Sequence, residues 1–245
     1  MQILLDTTVQ IERMFFKSKR KMIDRILKEN DCYTSSYSLG EFNSNIVRDF
    51  VTLYNIMQME NNINDVVDKI NEKVFNRNHK RVIYILNDIC RLYDNKFDLV
   101  KEEIELYGKR LRARFMYLLN KQIINETSCN RANAIIRYSD GVAKLENYKC
   151  TKKDKFCRIC EFWKEHVDEL NVMNETEDVP EKFCEVLRKI RLNEKEAKGD
   201  NCRTVGDCII VLETTKLNDH NVCTSNIKDF QPICDLLNVN IIDII

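Results

Sequence analysis

Apolar residues fall in short unbroken runs near both ends of the chain and at helical spacing through its middle. Residues 3–5 are Ile-Leu-Leu and stop at Asp6, the pattern of a strand buried on both faces of a parallel sheet. Val9, Ile11, Met14 and Phe15 then recur at mostly helical spacing, and Met22, Ile23, Ile26 and Leu27 mark a second amphipathic segment ending near Asn30. A brief strand over residues 32–35 precedes a helix that begins at Ser38-Leu39-Gly40-Glu41 and runs beyond Phe50. At the far end, Ile209, Ile210, Leu212 and Leu217 predict a helix, residues 221–224 a strand, residues 233–237 a further apolar helix and residues 239–244 a last strand. Strand therefore alternates with helix at both ends, which predicts an open, mostly parallel α/β sheet flanked by helices. From 51 to 195 the spacing is helical throughout, as in Ile85, Ile89 and Leu92 or Leu111, Phe115 and Leu118. The expected organisation is an α/β core over 1–50 and 196–245 interrupted by a large all-α insertion over 51–195, with loops at 120–133 and 171–181.

Composition agrees with long helices. Five Gly and two Pro in 245 residues lie far below ordinary usage of roughly 7% and 5%, too few turn formers for an all-β sandwich or barrel. No stretch approaches the ~18 uncharged apolar residues that a membrane span requires. The N-terminal apolar run lacks a basic leader and contains Asp6, so it reads as a strand rather than a secretion signal. With an odd count of eleven cysteines, that favours reduced thiols and a cytoplasmic location. The 39 basic residues balance 39 acids, which excludes a uniformly polybasic nucleic-acid coat. His79, His166 and His220 form no triad or HExxH spacing, and no P-loop, GxGxxG or GxSxG is present.

Asp6, Glu41, Asp207 and the pair Asn226/Asp229 stand where strands or loops hand over to helices. In an open parallel sheet such handovers converge on the crevice beyond the strand carboxyl ends. Carboxylates gathered there repel one another unless cations neutralise them, and hard cations such as Mg²⁺ or Mn²⁺ prefer oxygen ligands. Such a cation lowers the pKa of water and offsets charge on a phosphodiester under in-line attack. Each acid taken singly also suits a structural role: Ser38-x-x-Glu41 and Thr204-x-x-Asp207 have capping-box spacing, and Asn226 with Asp229 suits an N-cap and a first-turn acid.

Taken together, four stretches resemble the PIN domain, the metal-dependent nuclease fold of VapC-like toxins and RNA-processing enzymes: Ile3-Leu-Leu-Asp6-Thr-Thr, Ser36-Tyr-Ser-Leu-Gly-Glu41-Phe, Gly206-Asp207-Cys-Ile-Ile-Val and Cys223-Thr-Ser-Asn226-Ile-Lys-Asp229-Phe. The resemblance covers about the first 50 and last 45 residues. It implies an endoribonuclease in which Asp6, Glu41 and Asp207 hold Mg²⁺ or Mn²⁺, Thr224 positions water or a ligand, and water is the nucleophile. Where the family commonly has Thr-x-Asp this chain has Thr224-Ser225-Asn226, so the fourth ligand is either the Asn226 amide oxygen or is shifted to Asp229. The same departure motivates the alternative of a catalytically degenerate PIN-fold protein that binds RNA or regulates. RNA is the expected substrate, with DNA as the other nucleic acid, and an antitoxin or other regulatory protein is the expected partner.

Two features of the middle add candidate chemistry. Thirteen basic residues against four acids occupy 106–158, and twelve acids against seven bases occupy 159–200, so the neutral total is a cancellation. Arg110, Arg114 and Lys121 fall on one helical face, and with Lys152 and Lys153 they predict a phosphate-binding surface, unless the face is simply solvated. Cys150-x6-Cys157-x2-Cys160 has spacing suited to structural Zn²⁺, with Cys129, His166 or Cys184 as a fourth ligand, or to an iron–sulfur cluster. Cys90, Cys208 and Cys234 sit among apolar residues as small core side chains.

Overall fold

A computed structural model describes residues 1–74, 76–119, 123–151 and 155–244. In chain order, β1 (Gln2–Leu5) leads through α1 (Thr7–Phe15) and α2 (Lys17–Glu29) to β2 (Asp31–Ser35) and α3 (Ser36–Phe42). A π-helical stretch (Asn43–Val47) passes into α4 (Arg48–Met59), followed by α5 (Ile63–Lys73), α6 (Asn76–Leu92) and α7 (Phe97–Met116). Next come β3 (Ile123–Ile124), β4 (Ile135–Ser139) and β5 (Val142–Glu146), then α8 (Ile159–Glu165), α9 (Val167–Glu175), α10 (Glu181–Leu192), α11 (Asp200–Thr204) and α12 (Gly206–Glu213). The chain closes with β6 (Asn221–Cys223), α13 (Ile227–Leu237) and β7 (Asn240–Ile242). Among these described residues no helix is long and apolar enough to cross a membrane.

The chain forms two compact units: one contains residues 1–41, 118–133 and 149–245, the other residues 42–117 and 134–148. The first unit is built on a five-stranded sheet in the order β3-β2-β1-β6-β7, with every pairing parallel. Its central strand carries Ile3, Leu4 and Leu5, all essentially buried, as an unbroken apolar run in a doubly covered strand requires. Helix α12 is buried along nearly its whole length, from Cys208 through Leu212. It shares one core with Val222 of β6, Phe230 and Ile233 of α13, and Trp163 and Phe183 of α8 and α10. The strand order reverses at β1, since β2 and β3 lie on one side and β6 and β7 on the other. Such a switch point opens a crevice at the carboxyl ends of the two central strands.

The second unit packs α4 against α6 and α7 around Phe50, Leu53, Ile85, Ile89 and Tyr107. Its buried acids Asp49 and Asp88 are both paired with arginine. Arg81 Nε donates to Asp49 Oδ2 at 2.6 Å, and Asp88 takes hydrogen bonds from Arg114 and from the Tyr107 hydroxyl.

The α/β expectation holds, and the strands at residues 3–5, 32–35, 221–224 and 239–244 all exist within a residue or two. The expectation of an all-α middle does not hold. β3 adds a strand to the sheet edge beside β2, and β4 pairs antiparallel with β5. The hairpin turns on Asp140-Gly141, with φ of 51° and 72°. Positive φ at both central residues is what a tight two-residue hairpin turn demands, and Asp-Gly supplies it at little cost. That dipeptide, flanked by Ile-Ile-Arg-Tyr-Ser and Val-Ala-Lys-Leu-Glu, is a hairpin signal that helical periodicity on either side obscured. The loop expected at 171–181 is also shorter, because residues 171–175 complete α9.

Candidate metal centre

The site is assembled by strand register. Leu5 of β1 stands opposite Cys223 of β6, and the Asp6 amide donates to the Cys223 carbonyl at 2.9 Å, so Asp6 and Thr224 emerge side by side. Thr224 Oγ1 donates to Asp6 Oδ2 at 2.8 Å, and Thr8 Oγ1 reaches the same oxygen at 2.5 Å. Two hydroxyls on one oxygen fix the rotation of the carboxylate.

Glu41 arrives from the other neighbouring strand. β2 ends at Ser35, whose hydroxyl accepts from the Ser38 amide at 3.0 Å and so caps α3. Ser35, not Ser38, is the capping residue, which leaves Glu41 in the body of the helix rather than in a capping box. Thr7 Oγ1 lies 2.9 Å from Glu41 Oε2 and 3.2 Å from the Ser38 carbonyl. Its single proton therefore links α1 to α3 beside the carboxylate.

Asp207 sits in the first turn of α12. A Cβ on Gly206 would lie 2.5 Å from the Tyr37 hydroxyl, so only glycine lets the start of α12 approach α3 this closely. Tyr37 also donates to the Cys202 carbonyl at 3.0 Å, fixing the turn that precedes Asp207. At the margin, Asn226 Nδ2 donates to Asp229 Oδ2 at 3.0 Å. The amide of Asn226 bonds Thr224 Oγ1 at 3.0 Å, and Lys182 Nζ of α10 reaches Asp229 Oδ2 at 2.5 Å.

Electrostatics tie these groups together. Asp6 is almost fully buried, and burial raises its pKa despite the two hydroxyls. Burial first, then the charges of Asp6 and Asp207, push Glu41 up to about 7, with Arg131 working in the opposite direction. Burial, then Asp6, pushes Asp207 up to about 7, with Lys182 opposing and Asp229 adding to the rise. Glu41 and Asp207 keep partial solvent exposure, so they flank an approach to Asp6 from outside. Asp229 behaves differently: Lys182 holds its carboxyl below the usual range.

Comparison with known proteins yields no match to a family model, a curated protein or a solved structure.

The structure thus brings Asp6, Glu41, Asp207 and Thr224 together, with Asn226 and Asp229 beside them. Asp6, Glu41 and Asp207 present only oxygens, the donor set that hard divalent cations take. Among the described residues, no group of three or more His, Cys, Asp or Glu side chains is already drawn together closely enough to hold a metal ion. Of the predicted phosphate-binding residues, Arg110 is exposed on α7, whereas Arg114 is engaged by Asp88 and Tyr107. α7 ends at Met116, short of Lys121; Lys121, Lys152 and Lys153 lie outside the described residues.

Sequence reasoning missed four residues here. Thr7 and Thr8 follow Asp6 directly, and hydroxyls beside a buried acid were the available signal. Lys182 lies in the acid-rich stretch and gave none. Glu213 is the fourth: fully buried at the end of α12, it is pushed up to about 8 by burial, with Glu126 and Glu41 adding to the rise. A lone acid closing the run Cys208-Ile-Ile-Val-Leu was its sequence signal.

Proposed function

We propose that this chain is a divalent-cation-dependent nuclease with a PIN-like core, acting on RNA as an endonuclease. The observation that carries the reading is the convergence of Asp6, Glu41 and Asp207, from three remote segments, at the switch point of a parallel sheet. Three carboxyls that resist ionising, Asp6 through burial and Glu41 and Asp207 through burial and the charge of Asp6, form a site that a Mg²⁺ or Mn²⁺ ion would complete. When bound, that ion supplies the acidity that activates water at neutral pH and the charge that offsets a phosphodiester in transition.

The chain's own residues do the positioning. Thr8 and Thr224 orient Asp6, and Thr7 orients Glu41, so both carboxylates are set before a cation or substrate arrives. Lys182 stands beside Asp229 and Asp207 at an exposed margin, where an ammonium suits a phosphate oxygen of the substrate.

One observation favours a second reading. Asn226 stands where a fourth acid would be, and Asp229 is already occupied by Asn226 and Lys182. A centre limited in this way also fits a PIN-like protein that binds RNA without cutting it.

Labelled single-stranded and hairpin RNAs incubated with Mn²⁺, Mg²⁺ or EDTA separate the two. The nuclease reading expects metal-dependent products that Asp6→Asn and Asp207→Asn each abolish while the circular dichroism spectrum is retained. RNA retained without products would favour the binder, and cleavage at the wild-type level by both variants would overturn the assignment of the site.

A further inference from the structure

Four cysteines from three remote segments line one small cavity in the first unit. They are Cys129, Cys150, Cys157 and Cys202, and the space they share with Tyr37, Thr127 and Arg131 measures about 10 Å³. All eleven cysteines are thiols rather than disulfides. Cys129, Cys157 and Cys202 are buried and Cys150 is partly so. The Cys150 and Cys202 thiols lie close enough to interact.

The backbone carrying these thiols is tied down. Ser36 at the start of α3 bonds Thr127 Oγ1 at 3.2 Å and the Cys129 amide at 3.3 Å. Ser128 between them is left-handed, with φ of 43°. The Arg158 amide donates to the Thr127 carbonyl at 2.9 Å, which brings the Cys157 segment alongside, and Tyr37 holds the Cys202 carbonyl. α3 comes so close that a Cβ on Gly40 would lie 2.7 Å from Cys129 Sγ.

Arg131 is the second independent feature. Its guanidinium is buried, lies over the Tyr37 ring at 4.9 Å and donates through Nε to Cys129 Sγ at 3.4 Å. Four thiolates around a doubly charged cation leave two net negative charges, and a buried guanidinium donating to one sulfur offsets part of that charge.

We propose that Cys129, Cys150, Cys157 and Cys202 bind one structural Zn²⁺ ion. Four sulfur ligands with no open position are the pattern of a structural rather than catalytic zinc. A space of about 10 Å³ is about what one ion fills. Binding draws the sulfurs to ~2.3 Å from the metal and releases four thiol protons to solvent. The ligand set differs from the one that spacing alone suggests. Cys160 lies at the start of α8, and its thiol donates to the Glu194 carbonyl at 3.6 Å. Cys202 takes its place, and Cys129 is the fourth ligand. The zinc joins the segment before β4, the segment after β5 and α11, so its role is to hold Arg131 where it faces both the sulfurs and Glu41. This assignment stands independently of the nuclease reading.

Metal analysis of the full chain purified from zinc-containing medium tests it, alongside Co²⁺ replacement read by visible absorption. The expected result is one zinc per chain, and a cobalt form with thiolate charge-transfer bands and tetrahedral d–d bands. Cys129→Ser and Cys202→Ser should lose the zinc, while Cys160→Ser and Asp6→Asn keep it. Wild-type protein without zinc, iron with labile sulfide in its place, a Cys150–Cys202 disulfide, or zinc lost from Cys160→Ser but kept by Cys202→Ser would each overturn the proposal. Should a serine variant fail to fold, the wild-type metal content and cobalt spectrum still decide.

Discussion

Glu213 ends α12 with its carboxyl wholly buried, and neither oxygen has a partner in hydrogen-bond geometry, although the Ser35 hydroxyl is near enough to oppose the upward shift. In the unfolded chain such a carboxyl ionises near 4.5, whereas in the folded protein it holds its proton until about 8. Its contribution to stability is therefore complete below 4.5, declines as pH rises between the two values, and is gone above about 8. Glu213→Gln removes that dependence. Melting temperatures of the metal-free protein across this range should show the variant gaining steadily on the wild type as pH rises; a difference that does not change with pH would contradict the burial argument. Glu41 and Asp207 follow the same sign with folded values of about 7. Unlike Glu213 they retain solvent contact, so a cation arriving from outside can take the place of their protons.

At the scale of elements, two glycines do opposite work. Gly206 has no unusual backbone but lets α12 meet Tyr37 of α3, whereas Gly141 meets nothing and is needed only for its φ of 72°. Gly141→Ala should cost about 1 kcal/mol through backbone strain alone. Gly206→Ala should cost about 1–3 kcal/mol through overpacking and also shift Asp207, weakening Mn²⁺ binding. Denaturant unfolding with a parallel Mn²⁺ titration distinguishes them; equal losses of stability with unchanged Mn²⁺ affinity in both would contradict this division. The contrast also explains what was legible in the sequence. Asp6, Glu41 and Asp207 were readable because each sits a few residues from an apolar strand or opens an apolar helix, so local pattern fixes its edge of the sheet. The Asp140-Gly141 hairpin was equally local but was masked by helical spacing around it. Cys129 was among the ligands that the sequence offered beside Cys150, but the place of Cys202 was not readable, because it depends on Tyr37 docking a segment 165 residues away.

In the molecule as a whole, the chain passes between its two units four times, at 41/42, 117/118, 133/134 and 148/149. Hydrophobic periodicity cannot reveal such crossings, because a helix has the same apolar stripe whichever unit it packs in. Residues 118–133 and 149–195 thus return to the unit that holds both chain ends. They carry Arg131, Lys182 and three of the four clustered cysteines, so part of what surrounds the carboxylates comes from the middle of the sequence. The proposed function requires that Asp6, Glu41 and Asp207 share one cation. Anomalous diffraction from crystals of the protein soaked in Mn²⁺ measures this directly. The expected result is a manganese peak bounded by these three carboxylates, absent from the Asp207→Asn variant. Manganese bound only elsewhere, or a peak unaffected by Asp207→Asn, would contradict it.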